Sequence, residues 1–352
     1  MTENNYLFEM ASPWQTAASG DIKTLAEDFV VAEELSFALD GSGDHLYLHI
    51  KKTGENTNWV AGQLAKQFNL KNKDVGYAGL KDRHAVTTQW FSILMPPKHE
   101  VEIPKIFSDN VECLEVKRHR KKLKKGSIKN NKFSLVVRHV KAKESLEKAL
   151  TAVQKQGFPN YFGPQRFGRG FNNLVEAEKL FTNKQRRVPR SKQGIYLSAA
   201  RSYIFNQILK QRVIDNSWNQ CVEGDVMMLN GSRSIFVPET YDDVLQQRVR
   251  DMDIHPTAAL WGKGELLSSA DIKTLEQSKA DANEVLKTGL ETAGLNQERR
   301  ALRVFPENFT WSWVDETTLA LEFALPSGCY ATSLLDAVLQ VNDVQHQQAQ
   351  HQ

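Results

Sequence analysis

The sequence predicts an α+β protein in which a strand-rich domain is interrupted by a mostly helical one. Three observations carry this. Between residues 25 and 137, short runs alternate apolar and polar positions with turn signals between them. From Tyr161 a Gly-, Arg- and aromatic-rich stretch leads into helical patterns that continue to about residue 292. After Arg303 the strand pattern returns. Strands, then helices, then strands again is the order an inserted domain leaves. The expected boundaries are 1–156 and 304–352 for the discontinuous domain, with 157–303 as the insertion.

The elements follow in order. Phe29–Glu34 and Leu46–Ile50 flank the turn Asp40-Gly41-Ser42-Gly43-Asp44 and read as a β-hairpin. Residues 58–68 (NWVAGQLAKQF) put apolar side chains at 59, 60, 64 and 68, a helical spacing, with Thr57 as N-cap. Trp90–Leu94, Val111–Val116 and Phe133–Val137 read as strands, and Ser145–Gln156 as a helix that Gly157 and Pro159 end. Leu197–Asp215 is the clearest helix, with Ser198 as its cap, and 266–292 is a charged helical segment facing solvent. Phe309–Val314 and Leu319–Ala324 are strands joined through Asp315-Glu316, and a short helix follows Pro326-Ser327-Gly328. The Gln- and His-rich tail 345–352 is expected to be disordered and to hold no metal.

At 352 residues the chain can bury two cores, and 41% hydrophobic with 25% charged residues describes a globular protein. Cys113, Cys221 and Cys329 are far apart, with no CxxC, which fits a reducing compartment and excludes a recognisable zinc site. Residues 1–10 lack the basic start and apolar run of a secretory leader, and no stretch is apolar enough to span a membrane. A cytoplasmic protein is expected. The net charge of +3 hides segregation. Lys117–Lys125 (KRHRKKLKK) carries seven Lys or Arg and one His in nine positions, whereas 239–298 holds twelve acids against six bases. Such asymmetry points to a polyanionic partner.

Gly79–Gln89 (GLKDRHAVTTQ) holds one acid, Asp82, among Lys81, Arg83 and His84. Neighbouring cations favour an ionised carboxylate, hence a nucleophile or base. A solvated turn explains the same residues. The basic run 117–125, with Gly126-Ser127 closing it as a hairpin, suits a phosphate backbone, as do Arg118, Arg120, Lys121, Lys122, Lys124 and Lys125 within it. Arg166, Arg169, Arg186, Arg187 and Arg190 are interleaved with Tyr161, Phe162, Phe167, Phe171 and Tyr196, a mixture that suits looped RNA or an ordinary core. Asn131 and Phe133 can read and stack on a base, and equally can pack in a strand. Gly163, Gly168 and Gly170 lack the strand-to-helix setting of a dinucleotide loop. A carboxylate-dependent hydrolase would need a second acid near Asp82, and Asp74 is the only nearby one in sequence.

Six segments taken together resemble the TruD family of tRNA pseudouridine synthases. They are EDFVV (27–31), YAGLKDRHAVTTQW (77–90), NKFSLVVR (131–138), PNYFGPQRFG (159–168), LSAARSYIFNQIL (197–209) and LPSGCYATSLL (325–335). The resemblance implies a pseudouridine-synthase-type catalytic domain, with a mixed, largely antiparallel sheet flanked by helices, plus an inserted α/β TRUD domain at 157–303. It implies isomerisation of uridine to pseudouridine in tRNA, at position 13 of glutamate tRNA, without cofactor or metal; a monomer is expected. Asp82 would be the catalytic aspartate. Phe29, Asn131 and Tyr330 would line the uridine pocket with Phe133 as a further wall, and Lys81, Arg83 and Arg166 would add to the backbone contacts. Cys329 departs from the small residue more usual in the family, and its size fits. A non-catalytic RNA-binding protein on the same scaffold is the alternative.

Overall fold

In the computed structural model, residues 6, 8–98, 103–104, 106–183 and 187–345 are described. The chain begins with strands β1 (Ser19–Ile22), β2 (Phe29–Leu35) and β3 (His45–Thr53) and helix α1 (Thr57–Gln67). Strands β4 (Gly76–Tyr77), β5 (Val86–Leu94), β6 (Ile106–Ser108), β7 (Val111–His119) and β8 (Ile128–Lys141) follow. Next come α2 (Lys143–Gln156), β9 (Phe158–Pro159), α3 (Asn172–Thr182), α4 (Arg190–Ile214), β10 (Met227–Leu229) and β11 (Ile235–Phe236). Then α5 (Asp243–Arg250), β12 (Ile254–Leu260), α6 (Ala270–Asp281), α7 (Glu284–Thr292), β13 (Glu298–Ala301) and β14 (Arg303–Val304). The last elements are β15 (Glu307–Trp313), β16 (Leu319–Pro326), α8 (Ala331–Val338) and β17 (Gln340–Asp343). Arg186 and the tail 346–352 lie outside the described residues.

Packing divides the chain into two units. One comprises Ala17–Leu146, Pro306–Gly328 and the residues from Leu339 on. The other comprises the residues up to Thr16, Glu147–Phe305 and Cys329–Val338. Most of α2, residues up to Thr16 and α8 are thus grouped with the helical block, although β8, β1, β16 and β17 beside them in sequence belong to the strand-rich unit.

The strand-rich unit is built on an 11-stranded mixed sheet with the order β15-β16-β8-β2-β5-β3-β7-β6, to which β1, β17 and β4 attach. Most of its pairings are antiparallel; β2–β5 and β1–β17 are parallel. The expected hairpin of β2 and β3 does not form. Strand β5 lies between them, parallel to β2 through Val30↔Val86 and antiparallel to β3 from His45↔Leu94 to Thr53↔Val86. The connection 36–44 is too long to impose the adjacency that a two-residue turn would. Nor do β7 and β8 pair: β7 joins β3 and β6, and β8 joins β1, β2 and β16. The basic run therefore ends β7 and continues as a loop. The β15–β16 hairpin forms as expected, Trp313↔Leu319 closing it.

On one face of this sheet α1 sets Val60, Ala61, Leu64 and Ala65 against Leu46, Leu48, Ile50, Phe91 and Ile93. Its N-cap is Asn56, whose Oδ1 accepts from Trp59 N at 2.8 Å, not Thr57. Thr57 is one residue inside the helix and its hydroxyl is engaged elsewhere, donating to Gln89 Oε1 at 2.8 Å and accepting from Lys81 N at 2.9 Å.

The helix-rich unit is organised around α4, which starts at Arg190 and so runs further N-terminal than its pattern indicates; Ser198 lies inside it. Ala199, Ala200, Ile204, Phe205, Ile208 and Leu209 are buried along it, in a core shared with α3 and α7 residues. Tyr161, Phe162, Phe167, Tyr196 and Tyr203 belong to that core, so these aromatics pack rather than wait for bases. Strands β11-β10-β12-β13 make a second, four-stranded sheet. Within the charged segment 266–292, Glu276 is an exception to solvation. It is buried, accepts from Ala259 N and Ser268 Oγ, and pairs with Arg299 at 2.9 Å.

Candidate active site

The segment Gly76–Ala85 crosses the edge of α1 between β4 and β5, and its backbone is held from several sides. Thr57 Oγ1 takes the Lys81 N–H, Gly126 N donates to Ala78 O at 2.8 Å, and Gln89 Nε2 donates to Gly79 O at 3.2 Å. Gly76 is required by close approach, since a Cβ there would sit 2.6 Å from Leu123 O and 2.5 Å from Ser92 Oγ. Lys81 is turned inward. Its Nζ lies 2.7 Å from Glu33 Oε2, both side chains being buried, so its charge is engaged within the fold rather than presented to a phosphate.

Asp82 is 16% exposed at its side chain and faces Lys23, whose Nζ donates to Oδ2 at 2.7 Å. Oδ1 accepts from His84 N at 3.1 Å, and the Asp82 carbonyl accepts from Lys52 Nζ at 2.7 Å. Lys23 follows β1 in a left-handed conformation (φ 55°) and also reaches Asp343 Oδ2 at 3.2 Å. Burial opposes its charge, but the Asp82 and Asp343 carboxylates outweigh burial and raise its pKa above the ordinary lysine value. The same ammonium sits 4.9 Å from the centroid of the Phe29 ring.

Phe29 is buried and meets Phe133 edge-on at 6.4 Å, while Phe133 stacks on Phe323 at 5.2 Å. The register Glu33↔Asn131 and Val31↔Phe133 puts Asn131 and Phe133 on the face of the sheet that carries Phe29 and Glu33. Asn131 Oδ1 is buried without a hydrogen-bond partner among the described residues. A buried amide oxygen left open is costly in a finished fold and useful to a ligand that donates to it. The motif EDFVV is explained by Asp28 as much as by Phe29. Asp28 is buried, holds Arg138 through two bonds of 2.7 and 2.9 Å, and caps the turn before Phe29 by accepting from Leu25 N.

Tyr330 and Arg166 belong to the helix-rich unit. There Arg166 donates through Nε and Nη2 to Tyr330 Oη at 3.0 and 2.5 Å, and through Nη1 to Ser198 Oγ at 2.8 Å. Gly163 of the PNYFGPQRFG segment makes room for that ring: a Cβ would meet it at 3.3 Å.

The cationic loop 120–127 is anchored. Leu123 is buried and donates its N–H to Ser92 Oγ at 2.9 Å, and Tyr47 Oη donates to Lys121 O at 2.9 Å. Arg120, Lys121, Lys124 and Lys125 are exposed, as is Arg83, whose Nε reaches Gly54 O. Lys122 donates to Lys73 O, and Arg118 is half-buried, giving its Nη1 to Gly43 O and Met95 O.

Lys23, Lys52 and Asp343 were not legible as site residues. Each reaches Asp82 or Lys23 from a distant part of the chain, and none carries a local motif. Asp343, remote in sequence, brings a second carboxylate to the Lys23 ammonium. Among the described residues no three His, Cys, Asp or Glu side chains group so as to hold a metal ion, and no helix is long and apolar enough to cross a membrane. One carboxylate held by an ammonium beside two phenyl rings and an open amide suits attack on, or proton removal from, a base-bearing sugar.

The sequence profile described as tRNA pseudouridine synthase D (TruD) matches residues 13–174 and 169–338. A tRNA pseudouridine synthase D of Aeromonas hydrophila is 44% identical over 329 residues, 94% of this chain and 93% of that one. That of Methylococcus capsulatus is 43% identical over 322 residues, 91% of each chain. That of Hydrogenovibrio crunogenus is 40% identical over 339 residues, 96% and 97%. A crystal structure described as a putative tRNA pseudouridine synthase D from Methanosarcina mazei shares the fold, with TM-score 0.71 at 20% identity over 94% of this chain and 96% of that one. The resemblance carried by the six motifs is borne out: the chain belongs to the TruD family of tRNA pseudouridine synthases and is, with it, an isomerase.

Proposed function

We propose that this protein converts uridine to pseudouridine in tRNA, at position 13 of glutamate tRNA, with Asp82 as the catalytic carboxylate. The observation that carries the assignment is the Lys23–Asp82 pair of 2.7 Å beside the Phe29 ring. The reaction must break N1–C1′, turn the uracil, join C5 to C1′, and move the C5 proton away while N1 gains one. A carboxylate serves by adding to C1′ or by taking the 2′ proton, and Lys23 keeps it oriented in either route. Extruding the uridine from structured RNA costs a few kcal/mol. Stacking on Phe29 and Phe133, about 1–3 kcal/mol per base, offsets that cost. Asn131 Oδ1 is the acceptor for the uracil N3–H. Arg83, Arg118, Arg120, Lys121, Lys122, Lys124 and Lys125 meet the phosphates.

The test is Asp82→Asn assayed on tRNA carrying 5-tritiated uridine. The variant should bind tRNA and release no tritium; normal release would sink the assignment and favour a non-catalytic RNA-binding role.

A further inference from the structure

Lys52, at the end of β3, is fully buried. Its ammonium donates to two backbone carbonyls, Glu55 O at 2.6 Å and Asp82 O at 2.7 Å, and makes no ion pair among the described residues. Burying an ammonium without pairing it directly to a carboxylate is expensive. Burial, with a small contribution from Lys81, pulls its pKa down to about 8 against the opposing Asp82 and Glu55 carboxylates. A methionine would fill the same volume without that desolvation cost, but would leave the Glu55 and Asp82 carbonyls without this donor.

What the ammonium does hold is the peptide of Asp82. Lys23 fixes one carboxylate oxygen and His84 N the other, but both contacts act on the side chain or on its own turn. The bond from Lys52 ties the main chain of Asp82 to the far end of β3, an element of the central sheet. We propose that Lys52 is a positioning residue for the isomerisation, clamping the Asp82 backbone so that its carboxylate stands at a fixed height against the ribose. The proposal rests on Asp82 being the catalytic acid. Misplacement of a reacting group by about 1 Å can lower a rate about a hundred-fold.

The experiment uses the full chain and tRNA substrate, reading kcat, KM and melting temperature for Lys52→Met. Positioning predicts kcat lower by roughly 10- to 100-fold with KM unchanged, a loss larger than any fall in melting temperature accounts for. A wild-type kcat, or a kcat that falls only in step with melting temperature, overturns the proposal. If Lys52→Met yields no folded protein, Lys52→Gln is read against the same outcomes, its amide being one bond too short to reach Asp82 O. Asp82→Asn runs alongside. Turnover by Asp82→Asn defeats the reading of Asp82 itself; an inactive Asp82→Asn with a fully active Lys52→Met defeats the inference about Lys52 alone.

Discussion

Lys23 and Asp82 are 59 positions apart in sequence, yet their charged atoms meet at 2.7 Å, and Lys23 is held between Asp82 and Asp343. Replacing it by methionine would leave two carboxylates facing one another without the cation that reconciles them. Lys23→Met should lose activity by about a hundred-fold or more while retaining tRNA binding, measured by tritium release beside filter binding. The pH dependence has a definite sign. Because the folded pKa of Lys23 is raised above 10.5, its stabilising contribution is fully present below that value and is lost as pH rises through the folded one. The melting-temperature gap between wild type and Lys23→Met should therefore stay constant from neutral pH upward and close only in strong alkali.

Asn131 should behave unlike most buried polar residues. Its Oδ1 gives up no partner among the described residues, so Asn131→Leu should leave the melting temperature unchanged or raise it. The same substitution removes the acceptor for the uracil and should cost about 1–3 kcal/mol in kcat/KM, roughly 10- to 100-fold. A clear fall in thermal stability would show that the amide serves the fold instead.

Two groups of lysines separate by their contacts. Changing exposed Lys121, Lys124 and Lys125 to Gln should weaken tRNA binding and lower the slope of log affinity against log salt by about one unit per lost phosphate contact, with the melting temperature intact. Lys81→Met should do the reverse. It strands the buried Glu33 carboxylate, which costs about 3–5 kcal/mol. Thermal unfolding and salt titration of the two variants distinguish these roles.

The fold class, most helices and the β15–β16 hairpin were legible because they follow from periodicity and short turns. Sheet order was not. Neighbouring strands in sequence need not pair, and the turn at 40–44 records only that the chain reverses. In the structure Gln89-Trp90-Phe91-Ser92-Ile93 is buried without alternation, as a strand covered on both faces should be, although the polar Gln89 and Ser92 conceal this in the sequence. That marks β5 as central and leaves room for β2 and β3 on either side of it. Asp82 was readable because its partners in the motif are contiguous. Lys23, Lys52 and Asp343 were not, since a single lysine or aspartate has no periodicity and its meaning is set by the sheet that brings it there. Lys81 looked like a surface cation for the same reason: sequence shows the charge but not that Glu33 lies beneath it.

The parallel pairing of β1 with β17 has a consequence for the order in which the protein becomes competent. Lys23 follows the first strand of the strand-rich unit, whereas Asp343 ends β17, 320 positions later. During synthesis the N-terminal strand leaves the ribosome long before its parallel neighbour exists. Ser19–Ile22 can find β8 once residue 141 has emerged, but the three-charge arrangement of Asp82, Lys23 and Asp343 closes only after residue 343. A nascent chain stalled short of β17 would carry the acid and its lysine without the second carboxylate. The Asp82–Lys23–Asp343 arrangement therefore waits on the synthesis of residue 343.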